Sequence, residues 1–217
     1  MKRLAYLLLA AVALAPHVHA QLVITEVMAK SGSGGTNDWF ELTNFGSSSI
    51  NVSGYKMDDD SNSFGNAVAL LGITSIASGE SVIFIEGDAG TDDTGFKTFW
   101  GTSSVQVGTY TGSGISFGSG GDAVTIFDSV GNVITGTSFG SATTGASFYY
   151  AASIAPAASY TLTNVSATGV AGAFTSVSAV GDIGSPGVSA VPEPASFALL
   201  FGLGILGIAV TKRSGRA

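Results

Sequence analysis

Short runs of β-branched and aromatic residues, each closed by Gly, Ser, Asn or Asp, most limit the folds open to this chain. Residues 22–27, 39–43, 81–86, 123–127 and 133–137 are such runs, and 54–57, 146–150, 159–162 and 174–177 repeat the pattern more faintly. Alternating polarity over four to eight residues between turn formers specifies half-buried strands. No stretch between 21 and 190 sustains a helical stripe, so the body is expected to be all-β with frequent turns. Asp128-Ser129-Val130-Gly131-Asn132 separates two apolar runs and predicts a hairpin, with Gly131 free to take positive φ.

Face assignments follow from the two-residue period. In Asp38-Trp39-Phe40-Glu41-Leu42-Thr43-Asn44, Phe40 and Leu42 share one face, expected to be the core face, and Trp39, Glu41 and Thr43 share the other. Val82-Ile83-Phe84-Ile85 is apolar throughout. A strand of that kind is covered on both faces or lies centrally, which favours a two-layer sandwich over an open sheet.

The two ends have a different character. Lys2 and Arg3, the apolar stretch 4–15 and Val18-His19-Ala20 have the order of a secretory signal peptide, with cleavage expected between Ala20 and Gln21. At the other end come Pro192-Glu193-Pro194, the predominantly apolar run 195–210, and Lys212, Arg213 and Arg216. Sixteen residues make a helix of about 24 Å, short for a hydrocarbon core of about 30 Å but workable with snorkelling flanks. The basic cluster should remain cytoplasmic, which places the body on the outer side of the inner membrane.

Both histidines, His17 and His19, fall in the leader, and the chain has no cysteine. At 165 residues, the stretch 21–185 can bury about 70% of its unfolded surface without disulfides. With the ends set aside, three lysines and fourteen carboxylates leave the body at about −11. Such a charge repels phosphate backbones, so nucleic acid is not an expected partner.

Tripeptide, span and basic cluster together closely resemble the PEP-CTERM sorting signal of exported bacterial proteins. The resemblance implies processing by exosortase, a membrane protease-transpeptidase, after signal peptidase has acted, with the membrane as a transient partner. It also implies an association with exopolysaccharide and biofilm.

The body resembles the lamin tail domain, an immunoglobulin-like β-sandwich. The residues that carry the likeness are Ile24-Thr25-Glu26-Val27, the run 38–44, Asn51-Val52-Ser53-Gly54-Tyr55, Ala77-Ser78-Gly79-Glu80-Ser81-Val82, the segment 121–133 and Gly184-Ser185-Pro186-Gly187. Two positions depart from the family: Ser78 stands where it has proline, and Ser147-Phe148-Tyr149-Tyr150 lacks the arginine of its Ser-x-x-Arg segment. The resemblance implies no enzymatic activity. The expected organisation is a signal peptide at 1–20, a lamin-tail-like antiparallel sandwich at 21–187, a linker at 188–191 and a sorting tail at 192–217 with its transmembrane helix at 195–210.

Little chemistry is open to the mature body. Without His or Cys there is no serine triad, no thiol nucleophile and no ordinary zinc site. Glu26 and Glu41 are the best pair for glycoside chemistry if their strands are neighbours, although carboxylates there can equally bond backbone or Asn44. Asp58-Asp59-Asp60-Ser61-Asn62 has the start of a calcium loop, with Asp58, Asp60 and Asn62 as candidate ligands. Ser63 and Ala69 stand where an EF-hand needs Gly and Glu, so it is not an EF-hand, and no cofactor is expected beyond a loosely held calcium at these residues. Asp88, Asp92 and Asp93 form a second acidic loop. Trp39, Trp100, Tyr149 and Tyr150 are candidates for an aromatic sugar platform, set against ordinary core packing.

The function expected is that of a noncatalytic, exported cell-surface or extracellular-matrix protein. A polysaccharide- or calcium-binding module is the alternative, and a glycan-active enzyme is third.

Overall fold

A computed structural model describes residues 22–112, 114–151 and 159–188. The leader with its Ala20/Gln21 junction, and the tail with Pro192, Glu193, Pro194 and the span 195–210, lie outside the described residues. Among the described residues, no helix is long and apolar enough to cross a membrane.

In chain order the strands are β1 Leu22–Met28, β2 Trp39–Asn44, β3 Ile50–Asn51, β4 Lys56–Asp58, β5 Val68–Ala69, β6 Ser75–Ile76 and β7 Ser81–Glu86. Helix α1 Asp92–Trp100 comes next, then β8 Val107–Tyr110, β9 Asp122–Phe127, β10 Val133–Phe139 and β11 Phe148–Tyr149. The last are β12 Ser159–Leu162, β13 Asn164–Val165, β14 Phe174–Thr175 and β15 Ile183–Gly184. One large sheet has the order β13-β11-β1-β2-β7-β8 and the other β12-β10-β9-β4-β5, with β14-β15 and β3-β6 as separate two-stranded pairs. The strong runs of the sequence are all strands, and the two sheets make the immunoglobulin-like sandwich.

Between the sheets lies the main core. Ile24, Val27, Phe40, Leu42, Val82 and Phe84 from the first sheet meet Met57, Val124, Ile126 and Phe139 from the second. Phe40 and Leu42 therefore face the core as their alternation requires. The β9–β10 hairpin forms at its expected place: the Asp128 carboxylate accepts from the Val130 and Asn132 amides at 2.9 Å each, and Gly131 has φ 97°.

A β-bulge in β1 brings two glutamates onto the same face of the first sheet. Ile24 pairs with Leu42 and Glu26 with Glu41, so Thr25 is the extra residue. In an unbroken strand Glu26 would share the core face of Ile24; the inserted residue turns it to the opposite face, beside Glu41.

That opposite face departs from the simplest reading of the alternation, because it is not wet. Every residue of β1 and β2 is buried. A second core of Met28, Trp39, Ile83, Ile85, Phe96, Trp100 and Val107 covers one part, and residues 183–188 cross another. Val82–Ile85 is covered on both sides for this reason.

Helix α1 corrects the expectation of a helix-free body. Its apolar signal is one cluster, Phe96, Phe99 and Trp100, confined to the second half of nine residues that open on Asp92-Asp93 and are interrupted by Gly95. Packing on the sheet stabilises what such a short segment lacks by itself. The helix carries the crossover between β7 and β8, which run parallel, and β10 and β12 are also parallel. Gly101 ends the helix in the left-handed conformation, φ 69°. The acidic loop at Asp88, Asp92 and Asp93 is corrected with it: Asp92 and Asp93 form its first turn and accept from the amides of Asp88 and Gly90 at 2.7 and 2.8 Å.

Candidate functional site

The two glutamates named by the sequence are brought side by side on β1 and β2, at 0% and 1% exposure. Around them the polar groups are nearly all hydroxyls and main-chain amides. Glu26 Oε1 accepts from Ser147 Oγ and from the Ser185 amide at 2.7 Å, and its Oε2 accepts from Ser185 Oγ at 2.9 Å. Glu41 Oε1 accepts from Thr25 and Thr43, and its Oε2 accepts from the Gly187 amide at 2.7 Å. Thr43 continues the track to Ser81 at 2.6 Å.

Asn44 is not among these partners. Its amide nitrogen donates to the carbonyls of Ser48 and Ile76, and its oxygen accepts from the Gly46 amide, which ties down the loop after β2.

Burial is the main cause that pushes both carboxyls above their ordinary value of 4.5, and the charge of Glu41 raises Glu26 further. Hydrogen bonds oppose the rise in each case without cancelling it. The two titrate as a unit, so the pair keeps a proton well above the usual carboxylate range.

Glycoside hydrolysis needs carboxyls that reach a sugar and a water. Here the covering is protein: a Cβ at Gly184 would stand 2.8 Å from Glu26 Oε1, 3.1 Å from the Trp100 ring and 3.2 Å from Ser147 Oγ. The arrangement closes the chain's last described segment, residues 183–188, onto the sheet as a strap. Sequence reasoning quoted Gly184-Ser185-Pro186-Gly187 and Ser147 but did not connect them to the glutamates. The signal was there in the glycines, since only a residue without a side chain fits against Glu26 at position 184.

The candidate aromatic platform is corrected by the packing. Trp39 and Trp100 are 0% and 1% exposed and meet edge to face, with centroids 5.7 Å apart. Tyr150 is buried in the main core against Tyr160 at 4.8 Å, and Tyr149, half-buried, lies on β11 opposite Glu26. These four rings do not present one open surface to a sugar.

Of the candidate calcium ligands, Asp58 and Asp60 line a cleft of about 390 Å³ together with Asp59, Ser61, Asn66, Gly114 and Ile115, whereas Asn62 does not line it. Asp58 is fully buried, and its Oδ2 accepts from Ser61 Oγ at 2.7 Å and the Ser63 amide at 2.6 Å. Those bonds make it the organiser of its own turn. Among the described residues, no group of three or more His, Cys, Asp or Glu is placed to hold a metal ion. Calcium and magnesium at millimolar concentration and matched ionic strength are therefore expected to move the melting temperature equally, by screening alone. A calcium-selective rise that Asp60→Ala removes would establish a dedicated site instead.

A second acidic residue that the sequence did not single out orders a loop. Asp38 Oδ2 accepts from the Phe117 amide at 3.1 Å, and burial, aided by the charges of Glu86 and Asp122, pushes its carboxyl up to about 6.

Two family models match the chain. One, described as the Lamin Tail Domain, matches residues 15–141, and the other, the PEP-CTERM protein-sorting motif, matches residues 190–214. No curated protein matches it. The first match ends after β10, yet β11 pairs with β1 and β13 with β11, so the chain beyond 141 completes the same sheet.

Proposed function

This chain belongs to the lamin tail domain family, and from that premise and its sorting motif we propose that it is a noncatalytic structural protein of the cell surface or extracellular matrix. The PEP-CTERM motif marks it as a protein exported through the membrane and processed by an exosortase-type system. Family and motif together suggest a surface protein without enzymatic activity. The finer part of the reading is that the sandwich serves as a scaffold in an exopolysaccharide or biofilm matrix.

One observation carries the reading: the sorting motif matched at 190–214, directly after a domain whose last segment is fastened to its own sheet. Support comes also from the enclosure of the paired carboxyls, Glu26 and Glu41, beneath that segment. A net charge near −11 on the body adds solubility and mutual repulsion between copies, which suits dispersal in a hydrated matrix. Removal of 1–20 between Ala20 and Gln21 by signal peptidase belongs to the same proposal.

Processing is tested on protein recovered from the surface of the native host. Its intact mass is expected to lack residues 195–217, with the cut close to Pro194. Deleting Pro192 to Pro194 is expected to leave the precursor in the inner membrane. A surface protein that retains its apolar tail would end the proposal.

A further inference from the structure

The strap has a feature that its family likeness and sorting motif leave unassigned: it is fastened through two buried acids with no cation beside them among the described residues. Its Ser185 amide and hydroxyl bond Glu26, and its Gly187 amide bonds Glu41. We propose that Glu26 and Glu41 form a proton-dependent clamp on residues 183–188, closed while the pair holds a proton and loosened when both carboxyls ionise.

Geometry makes this workable. An amide N–H can only donate, so Ser185 N and Gly187 N each require one lone pair, on Glu26 Oε1 and Glu41 Oε2. Hydroxyls are different, because rotation lets them accept as well as donate. Ser185 Oγ lies on Glu26 Oε2, and Thr25 and Thr43 lie on Glu41 Oε1. A proton on either of those oxygens can thus be donated to a hydroxyl while both strap amides keep their acceptors. Removing that proton puts two like charges on adjacent register positions in a dry site. Repulsion there is relieved by outward movement of residues 185–188, which follow the point where Ile183 is held by main-chain bonds to Gly145 and Ser147 and are themselves in no strand.

Groups facing the pair supply no compensating positive charge. From β1 and β2 come Thr25 and Thr43, from β7 Ser81, and from beside β11 Ser147, with Tyr149 opposite Glu26 in register. From β12 comes Tyr160, its phenol kept protonated by burial well above its ordinary value, so it brings no positive charge. The helix contributes the Trp100 ring against Gly184. Asp182, which precedes the strap, accepts from the Gly32 amide at 2.9 Å and would add only negative charge. Lys30 is exposed, Lys56 sits over the Phe64 ring at 4.8 Å and Lys97 lies in the last turn of the helix.

The sign follows from linkage. Both carboxyls are raised above 4.5 in the fold, so between that value and the raised ones the folded state holds more protons than the unfolded chain. Stability from the pair is fully present below 4.5 and is lost as pH climbs through the raised values. An exported protein meets the pH of its surroundings directly. Gly187 stands only five residues before Pro192, a reach of at most about 18 Å, so the clamp governs where the tail leaves the domain. It concerns the strap itself and stands or falls apart from whether the tail is later cut.

Hydrogen exchange on the full chain in detergent micelles tests the clamp, read by mass spectrometry and corrected for the intrinsic pH dependence of exchange. Amides of 183–188 are expected to lose protection about tenfold or more between about pH 5.5 and about pH 9, while the β9–β10 hairpin keeps its protection. The double variant Glu26→Gln with Glu41→Gln retains acceptors but cannot ionise, and its strap should show no such change. Wild-type protection independent of pH would overturn the proposal, and so would an unchanged pH response in a folded double variant. The hairpin amides report whether that variant is folded, and the wild-type comparison decides the matter by itself if it is not.

Discussion

Replacing Phe40 with alanine is expected to remove about 3–5 kcal/mol of folding stability. Phe40 is fully buried on the core face of β2, with its ring 5.6 Å from Phe84, 5.6 Å from Tyr110 and 6.4 Å from Phe117. Its loss opens a cavity among rings that come from β7, β8 and the loop before β9, and strands so tied by ladder bonds cannot close it. Thr43 lies on the other face of the same strand, and alternation alone predicts that alanine there costs far less than at Phe40. The structure raises that cost, because its hydroxyl is buried between Thr25 at 2.7 Å and Ser81 at 2.6 Å. Thr43→Ala is expected to lose about 1–3 kcal/mol, smaller than Phe40→Ala but measurable. Urea melts of the two variants decide the ranking; equal losses would mean that the aromatic stack is not the dominant contact of β2.

Trp100→Ala is expected to have a comparable effect, about 3–5 kcal/mol, although its residue lies outside the sandwich core. Trp100 gathers Trp39 at 5.7 Å, Phe99 at 5.6 Å, Phe96 at 6.0 Å and Phe174 at 5.8 Å, joining the helix and β14 to the outer face of the first sheet. Its ring also lies against Gly184, so removing it uncovers the strap as well as the helix. The near-UV circular dichroism of the paired indoles should fall with the stability. A loss below about 1 kcal/mol would show that the helix is an ornament on a self-sufficient sandwich, contrary to a covered outer face.

Not all elements of this fold were equally visible in the residues. The strands around Phe40 and Phe84 and the hairpin at Asp128–Asn132 depend on a two-residue period and on turn formers, both local properties, and they lie where the pattern puts them. Helix α1 was hidden because Phe96, Phe99 and Trp100 make a single helical turn's worth of spacing, too short a stretch to sustain a period, behind Asp92, Asp93 and Gly95. The aromatics were left between two readings for a related reason: residue type says that Trp39 and Trp100 need apolar cover or a ligand, but not which of the two they receive.

The glutamate pair was half legible. That Glu26 and Glu41 lie on strands was readable; that those strands are neighbours was left open, and the bulge at Thr25 that turns Glu26 toward Glu41 carries no sequence signature strong enough to read.

By itself the sequence determined the β-rich character of the body and the order of lamin-tail domain and sorting motif, because each is written in contiguous runs of hydrophobicity and charge. Only the tertiary structure decided what covers the second face of the β1–β2–β7 sheet. Alternation separates two faces of a strand but is silent on what packs against either one. Here the answer comes from residues far along the chain, with Ser185 reaching back across 159 positions to Glu26 and Gly187 across 146 to Glu41. Contacts at such separation leave no periodic trace between their ends, so two acids that read as a catalytic pair or as partners of backbone or Asn44 became the buried fastening of the segment that leads to the tail.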